Sequence, residues 1–98
     1  MDFEFEFTGD LVEWRGPSPF YFVPVPTEMS AEIKALAKTL SYGWGVVPVR
    51  ARIGETEFTT ALIPREGIFM VPVKDVVRRE NAIELGDTVS VWMLLGGR

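Results

Sequence analysis

Arg50 and Arg52 lie two residues apart, a spacing that puts both side chains on one face of a β-strand. Two guanidinium forks so placed can grip a carboxylate or a phosphate. The competing expectation, which the many strand-face acids favour, is cross-strand pairing with Glu57, Glu4 or Glu6. Trp14, Trp44 and Trp92, with Tyr21 and Tyr42, could line the mouth of a ligand pocket, although in so small a chain aromatic rings more often fill a core. Trp44 stands between Gly43 and Gly45 and is the least strand-like of them. It is therefore the first candidate for ligand contact, with Tyr42 beside it. Glu4/Glu6 and Glu55/Glu57 place two carboxylates on one strand face about 7 Å apart, which suits a solvated surface better than acid–base catalysis.

The absences are as informative as the pairs. The chain has no histidine and no cysteine. This removes the usual general base, the usual thiolate nucleophile and the usual zinc ligands, and with them any Ser–His or Cys–His hydrolase centre. No cofactor or metal is expected, and the reading is non-enzymatic. The formal charge is −4. Residues 1–49 hold seven acids and three bases, whereas residues 50–98 hold seven of each. Neither half is basic, which weighs against nucleic acid as a partner. With no 20-residue apolar run and no signal-like start, the expectation is a soluble cytoplasmic domain without membrane contact. Its partner would be a small molecule or another protein.

At 98 residues the expectation is one domain, residues 1–98, in which nearly every apolar face is used. Phe3, Phe5 and Phe7 alternate with acids and Thr8, the period of a strand with one wet face. Each ring contributes roughly 2–3 kcal/mol if fully buried. A bend is expected near Gly9 and Asp10, then a turn across Arg15–Pro19 and a second strand from Phe20 to Val25. Ile33, Leu36, Ala37 and Leu40 make one apolar stripe, predicting a helix over about 27–41 with Thr27 or Ser30 as its cap. Lys34 and Lys38 fall off that stripe. Strands are then predicted at 46–53, 57–63, 68–73 and 88–95, with turns at Gly54-Glu55 and Pro64–Gly67. Residues 74–80 form a short helical turn with Val76 and Val77 inward. About six short strands with one amphipathic helix predict an all-β fold, a small closed or nearly closed barrel, because open edges would otherwise be exposed.

Several segments together resemble a known family. They are Phe5-x-Phe7-x-Gly9, the Phe22–Pro26 stretch, Phe58–Lys74, and Val76–Val91 with its Leu85-Gly86-Asp87 turn. In order and spacing they resemble the small microbial proteins catalogued as domain of unknown function 1905, a resemblance that implies a small barrel with one helix and no assigned activity. The last segment also resembles the GD box of cradle-loop barrels, which include swapped-hairpin transcription factors. That likeness implies a DNA-binding dimer as the alternative function. Gly86 is suited to a positive φ, and Asp87 to accepting backbone N–H groups across the turn, a structural role. Arg78 is expected to brace Asp87 or a helix end. Asp75, Glu80 and Glu84 offset Arg78, Arg79 and Lys74.

Overall fold

Phe3–Asp10 forms strand β1 with its phenylalanines inward and Glu4, Glu6 and Thr8 exposed, as alternation requires. The computed structural model describes residues 3–15, 19–39 and 47–96. After β1 come β2 (Val12–Arg15), β3 (Pro19–Pro24), helix α1 (Thr27–Thr39), β4 (Val47–Ile53), β5 (Thr56–Arg65), β6 (Ile68–Pro72), helix α2 (Asp75–Glu80) and β7 (Thr88–Leu95). The strands form one antiparallel sheet in the order β1-β7-β4-β5-β6-β3-β2, curled into a half-barrel. The fold is thus mostly β with two helices, as expected.

Among the described residues there are seven strands instead of six because the anticipated bend divides the first one. Leu11 interrupts it, buried to 1% exposure. Its N–H donates to Asp87 O and its carbonyl accepts from Gly86 N–H, each at 2.9 Å. Before this break the strand pairs with β7, and after it with β3. β5 makes the opposite corner, since residues 56–62 pair with β4 and residues 63–65 with β6. Gly9 lets the two halves approach. A Cβ there would sit 2.8 Å from Val23 Cγ1 and 3.0 Å from Pro24 O, so only glycine lets β1 pass so close to β3.

The concave side holds one apolar cluster built by alternation. Val47, Val49, Ala51 and Ile53 come from β4, and Val89, Val91, Met93 and Leu95 from β7. α1 adds Ile33 and Ala37 to it. Ser30 is not the helix cap. Its N–H donates to Pro26 O at 2.8 Å, placing it one turn inside the helix. Its buried hydroxyl donates to Val25 O at 3.2 Å and accepts from Phe69 N–H at 3.0 Å. One side chain thereby joins α1 to the ends of β3 and β6.

Two local expectations are corrected. β5 runs through Pro64 to Arg65, and the hairpin tightens to Glu66 and Gly67, whose φ values of 52° and 87° suit a two-residue turn. In α2 only Val77 is buried, while Val76 is 47% exposed, because a one-turn helix at the sheet margin buries a single side. Among the described residues no helix is long and apolar enough to cross a membrane.

Candidate functional site

α1 crosses the β5–β6 hairpin with an unusual choice of residues on the facing side. Thr27, Ser30, Ala31, Lys34, Ala37 and Lys38 follow the helical repeat along that side. Four of the six are small, and beyond the point where Ser30 meets Phe69 a cleft of about 600 Å³ remains between helix and hairpin. The opposite wall is Val47, Pro64, Gly67, Ile68 and Phe69. Its floor is apolar, with Phe69 and Ala37 buried and the Ser30 hydroxyl already committed to two backbone partners. Lys34 and Lys38 are exposed at the rim, and neither forms an ion pair with a described residue. The volume is that of a small-molecule site, and the described lining offers apolar surface with lysine charge at its edge.

Arg50 and Arg52 do not reach this cleft. They point outward from β4, on the face opposite Val49 and Ala51. The register sets Arg52 between Glu57 on β5 and Trp92 on β7. Its guanidinium lies over the Trp92 ring, 4.7 Å from the centroid, and forms no ion pair among the described residues. Trp92 in turn donates its indole N–H to the Glu4 carboxylate. The outcome is a cross-strand line of Glu4, Trp92 and Arg52 on the convex face. Arg50 sits opposite Thr59 and Leu94. Tyr42 and Trp44 lie outside the described residues.

The Gly86–Asp87 turn has the expected form. Gly86 has φ 90°, and Asp87 Oδ2 accepts the Glu84 N–H at 2.8 Å. Arg78 braces a helix end and not Asp87. Its Nε donates to Val73 O at 3.3 Å, its Nη2 lies 3.4 Å from Asp75 Oδ1, and the guanidinium lies 3.8 Å from the Tyr21 ring centroid. Arg79 reaches the same Asp75 at 3.3 Å. Beside this turn is a shallower hollow of about 400 Å³ with Gly54, Asn81, Thr88 and Ser90 on its walls. Its polar groups are largely engaged with the fold. Asn81 Nδ2 donates to Thr56 Oγ1 and Val77 O, and Thr88 Oγ1 donates to Asp10 Oδ1.

A third feature is aromatic. Trp14, Phe20 and the buried Phe22 group on one face of β2 and β3, outside the main core cluster, with centroids 6.0–6.5 Å apart. Arg65 lies 4.6 Å from the Trp14 centroid. Trp14 and Phe20 remain 44% and 48% exposed.

Sequence reasoning missed the two cleft lysines, having placed them only off the apolar stripe of the helix. The available signal was the run of small residues on the same side. The family model described as Domain of unknown function (DUF1905) matches residues 7–93. No curated protein matches the chain.

Proposed function

The chain belongs to the DUF1905 family, and from that premise we propose that it is a non-enzymatic binding domain whose ligand is a small, largely apolar molecule held between α1 and the β5–β6 hairpin. The observation that carries this reading is the cleft of about 600 Å³ with its apolar floor. An apolar recess of that size beside a rigid sheet is a general form of ligand site. The floor belongs to the core, so the site is held in place without the ligand. The DNA-binding alternative has less support, because Arg78 and Arg79 both spend charge on Asp75.

Native mass spectrometry of protein purified without additives tests the proposal. A bound small molecule that leaves on denaturation is expected. Ala31→Trp, on the exposed side of α1, should fill the cleft and abolish the adduct at a helix-propensity cost of only about 0.5 kcal/mol. A bare protein would count against the small ligand and favour a protein partner, for which Trp14 and Phe20 are the largest exposed aromatic surfaces among the described residues.

A further inference from the structure

Lys34 and Lys38 are the feature of the cleft that solvation alone does not explain. They stand one helical turn apart on the same side of α1, both on the cleft wall. Like charges at this spacing destabilise a helix by about 0.2–0.5 kcal/mol. An anion between them reverses the sign of that interaction. Residues 1–49 contain only three bases, and these are two of them, so the cleft rim is a cationic spot in the acidic half of the chain. No described carboxylate pairs with either, although Glu28 and Glu32 lie on the same helix.

Resting on the proposed ligand-binding role of this cleft, we propose that the ligand is an amphiphile with a single anionic head. The head sits between the Lys34 and Lys38 ammonium groups, and the apolar body lies along Phe69, Pro64 and Val47. Ammonium groups act as point charges with no planar preference, so a carboxylate serves as head as well as any other anion. The long stems of both lysines can lie along the apolar wall while their charges stay at the water boundary.

Dodecanoate below its micelle threshold is a suitable probe, with dodecan-1-ol as its uncharged counterpart. Isothermal titration gives the affinities, and backbone amide shifts locate the site. Two favourable charge contacts should make dodecanoate bind about tenfold more tightly than the alcohol. The double variant K34Q/K38Q keeps helix propensity and alters only exposed side chains. It should erase that preference, so that the variant binds dodecanoate no more tightly than it binds the alcohol. Raising the salt to about 0.5 M should weaken dodecanoate selectively. Equal binding of both probes, with amide shifts along α1 and Pro64–Phe69, would overturn the anionic head and leave the apolar cleft standing. Binding of neither probe, or shifts confined to other surfaces, would overturn the cleft as a ligand site and the anionic head with it.

Discussion

Ser30 shows how much one hydroxyl can hold. It is 2% exposed, and both its hydrogen bonds go to backbone groups that helix and sheet leave open. Ser30→Ala strands the Phe69 N–H in an apolar setting, and urea unfolding should show a loss of about 1–3 kcal/mol. Gly86, at φ 90°, has open space where a Cβ would go, so Gly86→Ala should cost about 1–2 kcal/mol from backbone conformation alone, read by the same method. The role of Gly86 was legible because few residues tolerate that geometry, and that of Asp87 because a short carboxylate after such a turn has N–H groups within reach. The partner of Arg52 was not legible. Whether it meets Glu57 or Trp92 depends on the β4–β7 register, which joins segments about 40 residues apart and leaves no local trace. The partner of Ser30, 39 residues away, was hidden for the same reason, and the hydroxyl passed for a helix cap.

At the scale of elements, strand alternation and helical periodicity did most of the specifying. β1, β4 and β7 bury the alternate residues that the pattern selects, and α1 begins at Thr27, where the pattern places its start. What periodicity could not supply was the relation between elements. It offers no distance between α1 and the β5–β6 hairpin, and that gap is the candidate site. It also cannot separate a bend within a strand from a change of partner, so β1 and β2 read as one strand. The Gly9 approach is the most exposed point of this arrangement. Gly9→Ala must push Val23 or the Pro24 carbonyl aside, and a destabilisation of about 1–3 kcal/mol in thermal or urea unfolding is expected. By contrast Arg52→Ala removes only an exposed cation–π contact and should cost no more than about 1 kcal/mol.

At the scale of the whole molecule, the half-barrel depends on one apolar cluster of described residues, drawn from every strand but β2. Met93 lies within it with no exposed surface, so Met93→Ala should cost about 2–5 kcal/mol in urea unfolding. The pairing that completes the sheet joins the first strand to the last, with Phe3 opposite Leu95 and Asp10 opposite Thr88. On the ribosome that order matters. β1 leaves the exit tunnel before the other described strands, yet its partner β7 is the last of them to be made. Phe3, Phe5 and Phe7 must therefore wait uncovered while everything between them is synthesised, a standing invitation to chaperones or to neighbouring nascent chains. Chains stalled with Thr88–Leu95 still inside the tunnel should remain open to protease in β1, and chains stalled just after its release should become resistant. The earliest of the described strands is thus among the last to be protected.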